Sequence, residues 1–329
     1  MNGLSSWIVT DGAAGLVRQC SGLATRLGLE PEHRTIVIRH PWRALPPAFW
    51  PSPLSALSPR GDRLGPPWPH LVIASGRKSV APTAAIRRKT DGRTVTIQIQ
   101  DPTINPAYFD LVIAPRHDEV KGANVIATTG SLHGLTRRTL DEAACRRKRE
   151  VAHLPRPLIL AAIGGPNRVY RFTRADARDL GRKLGALEGG LMVTVSRRTP
   201  PEAADALKKE LDPARSVIWQ GGDGNPYEGW LGLADFIIVT SDSVNMATEA
   251  CISGKPVFIA ALPGGSAKFS RFHEALKRGG HARNFEGALD PFWTPVVLDD
   301  ATWVAQRVRD RLGERFSLPG SPSECSGRS

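Results

Sequence analysis

Residues 234–259 read ADFIIVTSDSVNMATEACISGKPVFI. The apolar, β-branched run Phe236–Thr240 predicts a strand buried on both faces. Ser241, Asp242 and Ser243 follow, all residue types that cap helix N-termini, and a helical pattern runs from Val244 to Ser253. Gly254 stops that helix and Pro256 opens the next apolar strand. Continuous apolar strands joined through a helix belong to a parallel sheet covered by helices on both faces.

The same alternation repeats outward. Apolar runs at 7–10, 34–39, 71–75, 94–99, 109–114 and 124–128 predict strands, with helices over Leu16–Leu27 and Ser79–Lys89 between them. After residue 157 the pattern restarts with LILAAIG at 158–164, a helix over Thr173–Leu187, LMVTVS at 191–196, a helix over Pro200–Leu211 and SVIWQ at 216–220. Two such runs predict an α/β protein of two Rossmann-like doubly wound domains facing across a cleft. The break falls at EVAHLPRP, residues 150–157, where two prolines follow a charged helix, Thr139–Glu150. The expected parts are 1–154, 155–299, a helix over 300–312 and a tail over 313–329. The helix, capped by Asp299 or Asp300 and stopped by Gly313, packs back on the N-terminal domain, and the Pro/Gly/Ser tail is disordered.

Composition removes other classes. The chain has 329 residues, about two domains by size, and 41% hydrophobic residues, enough for packed cores. Cys20, Cys145, Cys251 and Cys325 lie far apart, with no ligand spacing, so neither a disulfide framework nor a metal site is expected. No stretch reaches the roughly 18 apolar residues of a membrane span, and MNGLSSWIVTDG lacks the basic and apolar regions of a secretory signal. A cytoplasmic protein, peripheral to the inner face of a membrane, is the expectation. The net charge of +12 points to an anionic partner. Residues 1–155 hold 21 basic and 12 acidic side chains, so the first half reads as the basic half. Nucleic acid is not the expected partner, because no helix-turn-helix, RNP or zinc-finger pattern is visible.

His40–His70 interrupts the alternation, with nine prolines in 31 residues. Such density forbids a long helix or central strand. Trp42, Phe49 and Trp50, flanked by Arg39, Arg43, Arg60 and Arg63, fit an anionic membrane interface. The alternative is an extended loop whose tryptophans pack back on the domain.

Chemistry is expected at strand C-terminal ends, where open α/β sheets bind ligands. Ser241, Asp242 and Ser243 either only cap their helix or also present its N-terminus to a phosphate, with Glu249 two turns on. Gly164 and Gly165 let backbone approach a ligand, near Asn167 and Arg168. Ser196, Arg197 and Arg198 end another strand, as a diphosphate clamp or a solvated charge pair. Gly222, Asn225 and Tyr227 end a further one and could frame a base or sugar. In the first half, Asp11, Asp101 and His117 are candidate general bases at strand ends, or simply cap and turn residues.

These stretches together resemble a known family. DGxxGxxxQ (Asp11, Gly12, Gly15, Gln19), IQIQDP, FDLVIAPRHD, NVIATTGSLH, IGGPN, VSRRTP, GGDGNPY, VTSDSVNMATEA and SGKPV are similar to the Elm family of mitochondrial-fission proteins and its bacterial relatives, over about residues 7–312. Leu16 departs from the pattern, where the family often has a polar residue or His. The family in turn resembles the two-domain GT-B glycosyltransferases. That resemblance implies that Glu249 contacts the ribose of a nucleotide sugar, that Gly12, Gly15 and Gln19 form an acceptor-side loop, and that no metal or other cofactor is needed. Family members are also described as nucleoside-diphosphate-sugar epimerases. The short-chain type of that chemistry needs Tyr-x-x-x-Lys, but Tyr108, Tyr170 and Tyr227 are followed four residues on by Val112, Arg174 and Leu231.

The resulting expectation is a metal-independent transferase that binds a nucleotide-diphosphate sugar in its second half and an anionic or lipid-linked acceptor in its first. Its base comes from Asp11, Asp101 or His117. The alternative is a non-catalytic membrane-surface adaptor of the fission type that recruits a partner protein.

Overall fold

Every residue of LILAAI and of GLMVTV is buried, which only a strand covered on both faces allows. In the computed structural model, which describes residues 4–316, these are β7 (Leu158–Ile163) and β8 (Gly190–Val195), paired in parallel from Leu158↔Gly190 to Ile163↔Val195. β9 (Ser216–Trp219), β10 (Phe236–Thr240), β11 (Val257–Ala260) and the short β12 (Arg283–Asn284) complete a six-stranded parallel sheet of order β12-β11-β10-β7-β8-β9. Side-chain alternation sorts the strand residues onto two faces. Ile159, Ala161 and Ile163 meet Leu180, Leu184 and Leu207 of α4 (Arg174–Gly185) and α5 (Pro201–Lys208). Leu158, Leu160 and Ala162 meet Trp230, Ala247 and Phe272 of α6 (Tyr227–Leu233), α7 (Val244–Cys251) and α8 (Ala267–Arg278). Each fully buried large side chain contributes about 1.5–3 kcal/mol.

The other sheet is built alike. β1 (Ser6–Thr10), β2 (Glu32–Thr35), β3 (Leu71–Ser75), β4 (Val95–Ile99), β5 (Leu111–Pro115) and β6 (Val125–Thr128) are all parallel, in the order β2-β1-β3-β4-β5-β6. Ile8, Ile73 and Ile97 face α1 (Ala14–Leu27), whereas Val9, Val72 and Ala74 face α2 (Arg77–Lys89) and the proline-rich segment. β2 is shorter than 34–39. The Asp62 carboxylate accepts the Thr35 amide at 2.6 Å, and the segment ending at Gly61 packs against residues 35–37, which turns the chain off the sheet edge.

The packing divides the described residues into 4–134 with 300–316, and 135–299. This departs from the break expected at 154/155. The cause is α3 (Arg137–Arg147), which belongs to the second unit because it crosses α6 at two glycines. A Cβ on Gly232 would lie 2.5 Å from the Leu140 carbonyl oxygen, and one on Gly229 would lie 2.9 Å from that of Ala143. Six basic residues between 137 and 149 move with α3, so the described residues of the units carry 19 basic against 12 acidic side chains and 24 against 19. The charge asymmetry of the halves is thereby nearly erased.

α9 (Asp300–Phe316) packs on α1 through Ala301, Val304, Ala305 and Val308. The Asp300 carboxylate accepts the Thr129 and Gly130 amides at 2.7 and 2.8 Å. The helix does not stop at Gly313 but continues to Phe316; the remainder of the expected tail, 317–329, lies outside the described residues. No helix among the described residues is long and apolar enough to cross a membrane.

The proline-rich segment folds onto the first unit. Trp50 is buried and its indole N–H donates to the Leu45 carbonyl at 3.2 Å. Trp42 and Trp68 are half-buried against the same core, and Trp68 lies 6.1 Å from Trp7. Of the three aromatics expected at a membrane, Trp50 is therefore withdrawn into the core and Phe49 is the one largely exposed.

Candidate functional site

The second sheet reverses its winding direction between β7 and β10, so the loops after these strands flank a topological switch point. Asp242 occupies that point, its side chain wholly without exposure. Its carboxylate accepts the Gly165 amide at 3.1 Å, the Thr240 hydroxyl at 2.6 Å and the Arg198 guanidinium at 2.6 Å. Thr240 Oγ1 in turn accepts the Gly164 amide at 2.7 Å, and the Thr199 hydroxyl donates to the Gly164 carbonyl at 2.6 Å. Asn167 Nδ2 donates to the Asp242 carbonyl at 3.3 Å. Asp242 is thus the hub of three loops, 164–167, 196–199 and 241–243.

This changes the reason for the glycines. A Cβ on Gly164 would lie 2.1 Å from Asp242 Oδ1, and one on Gly165 would lie 2.4 Å from the Arg198 carbonyl. Both amides are engaged within the hub. The glycines make room for Asp242 and the 198–199 peptide rather than for a ligand.

Ser243 does cap its helix, accepting the Met246 amide at 3.3 Å. That leaves the Val244 and Asn245 amides without intrahelical partners at the positive end of α7. Ser241 Oγ accepts the Leu262 amide at 2.9 Å and hydrogen-bonds the Tyr170 hydroxyl; burial is the main cause that raises Tyr170 above its ordinary pKa. Ser196 Oγ pairs with Thr199 Oγ1 at 3.1 Å, shaping the turn that carries Arg197 and Arg198. Arg168 and Arg197 are exposed and form no ion pair among the described residues. Glu249 is buried on α7.

The remaining predicted residues of this half stand apart from the hub. Asn225 Oδ1 accepts the Tyr227 amide at 2.9 Å, and the Tyr227 hydroxyl donates to the Met246 carbonyl at 3.5 Å. Gly222 is exposed with a φ of +98° and open space around it. This loop binds α3 instead, through the Gly224 carbonyl and Arg147 at 2.7 Å.

In the first unit, Asp11 is paired with Lys78 at 2.9 Å and accepts the Ala13 amide at 3.2 Å. Burial pushes its carboxyl up, but the Lys78 hydrogen bond and charge, with the Ala13 amide, outweigh this and hold it below the ordinary value. Such a carboxylate is a weak general base. Gly12, with a φ of +82°, precedes α1, and Gly15 lies in its first turn. Gln19 is buried, its Oε1 accepting from Ser75 Oγ at 3.3 Å and Gln100 Nε2 at 3.1 Å, so it ties together the ends of β3 and β4. Asp101 is exposed and accepts the Thr103 amide at 2.7 Å. His117 is buried, with Nε2 3.5 Å from Asp118 Oδ1.

Thr199, Thr240, Tyr170 and Lys78 were not among the residues expected from sequence. The Thr-x-Asp spacing of 240–242 and the Lys in SGRKS at a strand-to-helix turn were the available signals.

A family model described as "Mitochondrial fission ELM1" matches residues 14–312. The Arabidopsis thaliana protein titled "Mitochondrial fission protein ELM1" is 33% identical over 276 residues, covering 75% of this chain and 65% of that protein, so the chain spans less than two thirds of this relative. An uncharacterised Rickettsia prowazekii protein, RP120, is 24% identical over 357 residues, covering 94% of the chain and 99% of the relative. Among solved structures, a Listeria monocytogenes protein described as a "putative UDP-N-acetylglucosamine 2-epimerase" matches with a TM-score of 0.58 at 12% identity, covering 95% of this chain and 96% of that one. Acinetobacter baumannii MurG matches with 0.50 at 14%, covering 97% and 96%. O. sativa Os79, solved with UDP, matches with 0.51 at 13%, covering 94% and 92%. At these identities the likeness establishes the fold, which is of the GT-B type. The missing Tyr-x-x-x-Lys pair excludes only short-chain epimerases, and the epimerase found here shares the present fold.

Proposed function

The chain belongs to the mitochondrial fission ELM1 family, and on that premise we propose that its second unit binds a nucleoside diphosphate, carried as a nucleotide sugar, at the β7 and β10 strand ends. The observation that carries this reading is the Asp242 hub, which fixes three loops around the switch point. A rigid, preorganised frame lowers the ordering cost of binding. Around it, Arg168 and Arg197 are uncommitted cations, and the Val244 and Asn245 amides are uncommitted donors at a helix N-terminus. S. aureus MnaA and O. sativa Os79, both of like fold, were solved with UDP, which supports the same ligand class for this chain.

The chemistry proposed is metal-independent transfer of the sugar to an anionic or lipid-linked acceptor. The guanidiniums and helix terminus of the second unit would stabilise the departing diphosphate. Of the candidate bases Asp11, Asp101 and His117, Asp101 is the exposed one.

The family itself favours a second reading, a fission-type surface adaptor that recruits a partner protein without turnover. Thermal unfolding with UDP, GDP, ADP and CDP separates the two. Under the first reading at least one nucleotide raises the melting temperature. If none does, the nucleotide reading fails and the adaptor reading stands.

A further inference from the structure

The first unit carries a groove of about 550 Å3 away from the strand ends, between the 47–53 segment, α2 and the 104–108 stretch. Its floor is Ala81, Ala84 and Ala85, which share one helix face with Arg88 at spacings of three, four and seven. Because three of these four positions end in a methyl group, α2 leaves the space beside it unfilled. Trp50, Ile104 and Tyr108 form the walls. The Trp50 indole N–H is already satisfied, and Asn105 Oδ1 is engaged by the Ala107 amide at 3.0 Å, so the lining is more apolar than polar, with the Asn105 amide nitrogen and the Tyr108 hydroxyl as its neutral polar groups.

One end of the groove has the opposite chemistry. Arg87 and Arg88 line it in the last turn of α2; Arg87 pairs with Asp110 at 3.2 Å, and Arg88 is exposed with no ion pair among the described residues. Tyr108, 56% exposed, lines the groove, and Phe49, 69% exposed, sits in the chain between the lining residues Ala48 and Trp50. Exposed aromatics beside guanidiniums mark a water–lipid interface. The volume lies within the range of single-ligand pockets, about 300–1,000 Å3. A docked helix, by contrast, needs anchor sites spread over two turns.

We propose that this groove takes one acyl chain of an anionic bilayer phospholipid, with its head group on Arg87 and Arg88. The inference does not rest on nucleotide binding, and its test contains no nucleotide. The full chain is sedimented with vesicles of phosphatidylcholine alone and of phosphatidylcholine with phosphatidylglycerol, alongside Phe49→Ser, Ala84→Trp and Arg88→Glu, each checked for an intact melting transition. The wild type binds the anionic vesicles. Phe49→Ser weakens that binding roughly tenfold, the loss expected for one unburied aromatic side chain. Ala84→Trp, which fills the groove, weakens it comparably, and Arg88→Glu weakens it only on anionic vesicles. Two results overturn the proposal. One is no vesicle binding, including the case where an acidic amphipathic helical peptide binds the groove instead. The other is loss on Arg88→Glu with Phe49→Ser and Ala84→Trp unchanged, which would mean that charge alone attracts the protein. Should Ala84→Trp fail to fold, Phe49→Ser, at an exposed position, decides alone.

Discussion

Arg198 donates to Asp242 at 2.6 Å across 44 residues of sequence, joining a guanidinium that is 43% exposed to a carboxylate with no exposure. The pair is asymmetric, and the asymmetry sets the first prediction. Asp242→Asn removes the charge from three donors at once and should lower stability by about 2–3 kcal/mol. Arg198→Ala leaves the Gly165 amide and Thr240 hydroxyl still bonded, and should cost about 1 kcal/mol or less, because solvent reaches the guanidinium and weakens the pair. Urea unfolding of both and of the double variant checks this. The double variant should cost less than the sum, since the two share one interaction.

The glycine loop gives a second expectation. Gly164→Ala drives a methyl group into Asp242 Oδ1, and should cost about 1–3 kcal/mol through overpacking. Gly222→Ala meets no neighbour, and carries only the strain of a φ of +98°. If the two variants prove equally stable in the same unfolding series, the Gly164 loop is not packed as described.

The strand reading was available from local composition. Runs such as LILAAI and FIIVT are too short for helices and too continuous for half-exposed strands, so their burial and parallel pairing follow directly. The unit boundary was hidden, because α3 is rich in charge and its packing face is only Leu140, Ala143 and Ala144. What those residues meet, Gly229 and Gly232, lies some 90 residues on and has no periodic signature. The site shows the same limit. Ser241, Asp242 and Ser243 could be placed at a helix N-terminus from their types. That Asp242 faces inward to Arg198 and the glycine loop depends on strand order, which sequence spacing does not contain.

The α3–α6 contact is itself testable. Gly232→Val places a side chain against the Leu140 carbonyl, with about 1–3 kcal/mol lost. Hydrogen exchange should then accelerate at residues 140–147 and at 227–233, while α1 and α2 stay protected. Acceleration confined to the first unit would contradict the assignment of α3.

Lys78 and Asp11 predict a pH dependence. The Asp11 carboxyl titrates below its unfolded value of 3.8, so its stabilising contribution is complete above that pH and fades as the pH falls through the lower folded value. Lys78→Met should therefore be less stable than wild type at pH 7, and the gap should close below pH 3.8. A carboxyl NMR titration of Asp11 should likewise move up in the variant.

Thiol chemistry tests the burial pattern. Burial pushes Cys251 up to about 12 and Cys20 higher still, whereas Cys145 is exposed on α3. At pH 8, iodoacetamide should label Cys145 in the folded protein and reach Cys20 and Cys251 only on unfolding, as read by peptide mass mapping.

The nucleotide site is tested most directly by isothermal titration calorimetry of the full chain with UDP, GDP, ADP and CDP. The predicted result is saturable binding of at least one of them, weakened roughly tenfold or more when Arg168 and Arg197 are both changed to Ala with the melting temperature intact. Binding that ignores both arginines, or no binding by any of the four at millimolar concentration, would contradict it.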